Sequence, residues 1–168
     1  MNKVVELVDQ TASELVLLPP GPGNVNVTVN DTPDEFSADP GLWDLSSPTF
    51  KDLRNYWLRK GPCKCQNKNT RGRYEETKRQ YATQNRYLSN AMFMYTKKNE
   101  EVGDLEWLIY SPTTKKVYCF YCRLFCKEED KKRDRFATDG FNDWKNNEGI
   151  MKRARTDKHK AVCKIISY

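Results

Sequence analysis

One stretch, Trp107–Phe125 (WLIYSPTTKKVYCFYCRLF), constrains this chain more than any other. Its apolar runs, Trp107–Tyr110 and Val117–Phe125, flank the polar Ser111–Lys116, a pattern that predicts a β-hairpin with a polar turn. The second strand is expected to end in Cys119 and Cys122, the only C-x-x-C of the chain. Two intervening residues let both sulfurs turn toward one point about 3.5–4 Å apart, which suits tetrahedral Zn2+. Such a half-site needs a complement. The single histidine, His159, stands four residues before Cys163, and residues four apart share one face of a helix. Hairpin and helix together predict a four-ligand zinc site of Cys119, Cys122, His159 and Cys163. Cys126 lies close enough to Cys122 to compete for the fourth position. Two other readings of the C-x-x-C stay open. One is a pair of buried thiols packed as small hydrophobes. The other is a redox pair, whose usual setting opens a helix in a βαβ unit; no such pattern surrounds this one.

Composition narrows the setting. Of 168 residues, 38% are hydrophobic, below the usual range of about 45–50%, so the core is small and a metal would support it. Six unevenly spaced cysteines do not make a secreted disulfide scaffold. Glu6, Asp9 and Glu14 interrupt the apolar N-terminal run, so it does not resemble a signal peptide, and no stretch reaches the length of a membrane span. A reducing compartment, cytosol or nucleus, is the expectation. Charge is divided: residues 1–50 hold one basic and eight acidic residues, while residues 51–168 hold 28 basic and 15 acidic. A basic domain behind an acidic arm implies a polyanionic partner.

Along the chain, residues 1–38 read as a disordered acidic arm containing Pro19–Gly23. Val4–Asp9 and Glu14–Leu18 are aliphatic patches beside acids, similar to segments that add a strand to a SUMO-type modifier. Residues 39–70 form a helical lead-in: a turn at Asp39–Trp43, then a helix from Ser46 or Ser47 that stops at Lys60-Gly61-Pro62. Cys63 and Cys65 follow and read as unpaired thiols. Residues 71–168 form the finger domain. Within it, Tyr74, Tyr81 and Tyr87 recur at roughly helical spacing among Arg71, Arg73, Lys78 and Arg79. Basic residues interleaved with aromatics can track phosphates and stack on bases. Leu88–Tyr95 reads as a strand or short helix. One long helix is expected from Phe141 or Asn142 to Ile166, with Lys152, Arg153, Arg155, Lys158 and Lys160 adding positive charge around the zinc pair and expected, like Arg71, Arg73, Lys78 and Arg79, to contact phosphates.

The chain also resembles a known family. Its segments DPGLW (Asp39–Trp43), RNYWLRKGP (Arg54–Pro62), RYLSNAMF (Arg86–Phe93), WLIYS (Trp107–Ser111), YCFYCRLF (Tyr118–Phe125), GFNDWKN (Gly140–Asn146) and KHK around His159 are similar to the TTF-type zinc finger. That module precedes the nuclease domain of hAT-family DNA transposases and occurs in zinc finger MYM-type proteins derived from them. The resemblance implies an α+β fold, zinc on Cys119, Cys122 and His159, nucleic acid (DNA foremost) as partner, and a nuclear location. Relatives carry a second histidine near Ala154, where this sequence has Ala154-Arg155; either Cys163 substitutes for it or the fourth position of the site is lost. No carboxylate cluster, nucleophile set or phosphate-cradling loop is present, so the expectation is a non-enzymatic, truncated member: an isoform or a host-adopted fragment. The alternative is a protein-interaction module with a structural zinc and an acidic recruiting arm.

Overall fold

A computed structural model describes residues 36–125 and 134–166, with side chains as far as Lys164. Val4–Asp9, Glu14–Leu18, Cys126 and the charged loop that follows it lie outside the described residues. In chain order the elements are a 3-10 turn at Pro40–Leu42, helix α1 (Phe50–Lys60), a 3-10 turn at Pro62–Lys64, strands β1 (Arg73–Gln80) and β2 (Asn85–Ser89), a 3-10 turn at Asn90–Phe93, β3 (Met94–Thr96), β4 (Val102–Asp104), β5 (Leu108–Ser111), β6 (Lys116–Cys119), helix α2 (Phe120–Phe125), a 3-10 turn at Trp144–Asn146, α3 (Glu148–Arg155) and α4 (Asp157–Ile166). The strands form three separate antiparallel pairs, β1–β2, β3–β4 and β5–β6, and the class is α+β.

The β5–β6 hairpin is the partition on which the rest packs. It pairs Leu108 with Cys119, Ile109 with Tyr118 and Tyr110 with Val117. Side chains alternate between the faces of a strand, and here both faces are covered. Leu108, Tyr110, Val117 and Cys119 join a cluster with Tyr74, Leu88, Phe93 and Trp144. Ile109 and Tyr118 enter a second cluster with Trp43, Leu53, Trp57 and Leu124. Burial on both faces explains why WLIY and VYCF are continuous apolar runs. The edges are covered too. Tyr110 N–H donates to the Gln66 carbonyl at 3.1 Å, and the N–H groups of Val117 and Cys119 donate to Phe141 and Phe136 carbonyls, each at 2.9 Å. The predicted second strand is shorter than expected: Cys119 ends β6, and Cys122 belongs to α2.

The lead-in packs directly on this hairpin. Helix α1 buries Leu53 and Trp57, four apart on one face, and Trp57 stacks on Trp43 at 5.7 Å. Gly61, at a positive φ of 81° that glycine tolerates best, donates its N–H to the Trp57 carbonyl and stops the helix. Phe36 and Ala38, assigned from sequence to the end of the arm, pack against the same cluster.

Two predicted helices are corrected. The Thr70–Tyr87 segment is a β-hairpin, β1–β2, with Tyr74 opposite Leu88 and Arg79 opposite Arg86. Its register slips between Tyr74 and Arg79, which breaks the alternation that marks a strand. Thr77 fills the gap: its hydroxyl accepts from Leu88 N–H at 2.9 Å and donates to the Tyr74 carbonyl at 2.7 Å. The single long C-terminal helix is instead a 3-10 turn, α3 and α4. The chain breaks at Thr156, which leaves helical geometry at ψ 138°. Its hydroxyl then accepts from His159 N–H at 3.3 Å, an N-cap bond that starts α4 in a new direction.

Arg123 ties the ends of this assembly together from a buried position. Its Nε donates to the Pro40 carbonyl at 2.9 Å, and its Nη1 donates to the Ala137 and Thr138 carbonyls, each at 3.0 Å. The guanidinium carbon lies 4.2 Å from the centre of the Tyr118 ring. Arg123→Ala removes the donors from three carbonyls, so urea denaturation should show a loss on the order of 3 kcal/mol. Arg123→Lys should recover only a fraction, because an ammonium cannot span the three positions as a planar fork does.

Candidate metal centre

Cys119 and Cys122 occupy a strand-to-helix corner. Cys119 is the last residue of β6, and Cys122 N–H points back to the Cys119 sulfur at 3.4 Å. His159 reaches the corner from the first turn of α4. Its Nδ1 lies 3.3 Å from Cys119 Sγ and 3.7 Å from Cys122 Sγ. Zinc bonds of about 2.3 Å to sulfur and 2.0–2.1 Å to nitrogen give a tetrahedral S···N edge of roughly 3.5 Å. The two observed edges bracket that value. All three donor atoms lie within 4.8 Å of one another, and all three residues are buried. The cluster can hold a metal ion.

The corner also resembles the setting of a redox dithiol, with a strand before the C-x-x-C and a helix through it. Burial argues against that chemistry, because Cys119 and Cys122 are only 0% and 2% exposed and thiol exchange needs an accessible sulfur. The imidazole is fixed from its other side by Trp107, whose ring meets it edge-on at 4.6 Å between centroids.

Cys163 lies one turn beyond His159 on α4. Its sulfur is 3.5 Å from His159 Nε2 and 3.9 Å from Nδ1, so it stands beside the ring and outside the mutual three-residue set. Burial pushes its thiol up to about 11, and the charge of Cys122 adds to the effect.

Two members of the site carry little or no signal in the sequence. Arg153, predicted as a phosphate contact, turns inward: its Nη2 donates to Cys122 Sγ at 2.7 Å and to the buried carboxylate of Asp134. The only signal is its place three residues after Ile150, on the inner face of α3. Asp134 has no spacing signal at all. The hydrogen bond with Cys119 is the main cause holding the Cys122 thiol well below its ordinary range; burial opposes it, and His159 and Arg153 add to the lowering. Burial, chiefly, pushes Cys119 the other way.

The other predicted nucleic-acid contacts are distributed over two surfaces. Arg71, Arg73, Lys78 and Arg79 are exposed on or beside β1, and Arg73 covers the Tyr87 ring at 3.9 Å. Lys152, Arg155 and Lys160 are exposed on α3 and α4, whereas Lys158 is half-buried with its Nζ 4.0 Å from Asp134. Tyr74 is a core residue, its hydroxyl held by Asn69 and Asn90, and Tyr81 donates to Asp143 at 3.2 Å. Comparison with known families, with curated proteins and with solved structures found no match to this chain.

Replacing Cys119 or Cys122 with Ser should abolish stoichiometric metal, because each change removes one of three converging donors. Arg153→Gln should leave metal bound but weaken it about 10–100-fold in a chelator competition, since it removes a hydrogen bond to a ligating sulfur. Unchanged affinity in Arg153→Gln would make that contact incidental.

Proposed function

We propose that the protein is a zinc-stapled nucleic-acid-binding module, with DNA as its target in the nucleus, of the kind found in front of hAT-type transposases. Two thiolates and an imidazole are a donor set that suits zinc, which needs no redox or geometric help from the protein. Cys119, Cys122 and His159 would hold it, and Cys163, the nearest remaining soft donor among the described residues, would complete the shell. The metal supplies no reaction in this reading; it fixes α4 against the β6–α2 corner.

One observation carries the binding half of the proposal. Arg71, Arg73, Lys78 and Arg79 on one hairpin, and Lys152, Arg155 and Lys160 on α3 and α4, keep their charges exposed while the core beneath them is closed. Cations held on a rigid frame neutralise phosphates and release counterions. The resemblance to the TTF-type finger, which spans the same elements, supports the same conclusion.

A second reading gives the metal the same task and the binding to a protein partner, such as a SUMO-type modifier. It is favoured by the eight acidic residues against one basic residue in 1–50. A salt titration separates the two. Duplex DNA affinity at about 50 mM salt should be measurable and should fall steeply as salt rises. Lys78→Glu, Arg79→Glu and Lys152→Glu together should flatten the log–log slope by roughly 0.9 for each phosphate that is no longer neutralised, with metal content unchanged. Salt-independent or absent DNA binding by the wild type would leave the protein-partner reading.

Proton release identifies the fourth ligand. The Cys122 thiol is held low, whereas burial pushes those of Cys119 and Cys163 up, so bound zinc displaces protons chiefly from the latter two. Calorimetry in buffers of different ionisation enthalpy should count about one proton fewer released by Cys163→Ala than by the wild type. Equal counts would remove Cys163 from the shell. Because a raised thiol pKa makes zinc compete with protons, zinc affinity should weaken as pH falls below neutrality.

A further inference from the structure

Beside the metal corner lies an open cleft of about 680 Å³ that the reading so far leaves unused. It runs between the β3–β4 hairpin and helices α3 and α4, and its lining includes three aromatic side chains, Tyr95, Trp107 and Tyr121. Tyr95 is half-buried and pairs with Gly103 across β3–β4. Its ring lies directly over that glycine: a Cβ there would come within 2.7 Å of Tyr95 Cε1 and Cζ. Gly103 is what allows the ring to lie across the hairpin. Trp107 is the residue that packs on His159, and Tyr121 lies in the α2 corner between Cys119 and Cys122. The cleft is thus built from the same elements that the metal brings together.

Its charges point to one kind of occupant. Lys97 is paired with Glu101 at 2.9 Å and Asp104 with Lys68 at 3.1 Å. The lining charges that enter no described ion pair are Lys98, Arg155 and Glu106. Two cations at an aromatic cleft disfavour a methylated ammonium and favour a planar group attached to phosphates. Glu106 adds an acceptor for an exocyclic amine, the group that a carboxylate reads on cytosine. The opening has the size of a ligand pocket.

We propose that this cleft accepts an unstacked nucleobase, with Tyr95 and Tyr121 as the stacking surface and Lys98 and Arg155 on the flanking phosphates. The inference rests on the nucleic-acid reading above and narrows its substrate to single-stranded or locally opened strands. Stacking on an aromatic side chain contributes about 1–3 kcal/mol per base. That corresponds to a loss of about 5- to 150-fold on removing a ring.

The test uses the full chain with its metal, a 12-nucleotide single-stranded DNA, the same strand as a duplex, and a single strand with its central base removed. Tyr95→Leu should weaken single-strand binding about 5-fold or more and duplex binding less than 2-fold, and the abasic strand should bind the wild type as the intact strand binds the variant. Tyr95 is remote from the metal ligands in sequence, and metal content with thermal melting checks that the variant folds. A second measurement needs no variant: 5-iododeoxyuridine in the strand, irradiated on the wild type, should crosslink to Tyr95 or Tyr121. Salt-dependent binding with no abasic penalty, no effect of Tyr95→Leu and crosslinks only elsewhere would overturn the cleft while leaving the nucleic-acid reading intact. Failure to bind any of the strands would overturn both.

Discussion

Helix α4 has one buried residue among its described side chains, His159, and that imidazole faces two buried sulfurs. A helix of ten residues is marginal by itself and ordinarily docks through an apolar stripe. Val162 and Cys163 are half-buried beside His159, so among the described side chains of α4 the imidazole is the one deep anchor, and a metal joining it to Cys119 and Cys122 would add to the support. Structural zinc contributes on the order of 10–16 kcal/mol in small fingers, comparable to the roughly 5–15 kcal/mol that holds a whole domain folded. A metal held by Cys119, Cys122 and His159 would contribute to docking α4 on that scale. Arg153 and Asp134 extend the same corner, so α3 is tied to it as well.

The other half of the structure is held by ordinary means. The β5–β6 hairpin divides two apolar clusters, and the segments that cover its edges also carry residues the site needs. Phe136 and Phe141 satisfy the outer edge of β6 and stack on each other at 5.0 Å between centroids. Arg123 then joins the N-terminal turn to the segment around Ala137. The metal corner thus sits where a rigid, doubly buried hairpin ends, and it receives a helix from a less buried part of the chain.

Much of this is legible in the sequence. The continuous runs of Trp107–Tyr110 and Val117–Phe125 announce a hairpin, and the only C-x-x-C with the only histidine gives three converging donors that can hold a metal. Helix α1 is readable because Leu53 and Trp57 recur at helical spacing before Gly61 and Pro62. The β1–β2 hairpin is hidden because its register slip at Thr77 destroys alternation, and the tyrosine spacing then imitates a helix. The break at Thr156 is hidden for a different reason: Thr-Asp is an N-cap signal, but it stands inside an otherwise helical run of apolar residues. Arg153 offers in the sequence only its spacing from Ile150, which its charge outweighs, and its inward turn depends on Asp134, a partner brought near by tertiary folding and not by spacing.

X-ray absorption at the zinc edge of the purified full chain addresses the joint between α4 and the hairpin most directly. The account predicts one zinc per chain with sulfur neighbours at about 2.3 Å and at least one imidazole nitrogen at about 2.0–2.1 Å. A shell of oxygen and nitrogen neighbours without sulfur, or protein that folds fully and retains no metal, would contradict it.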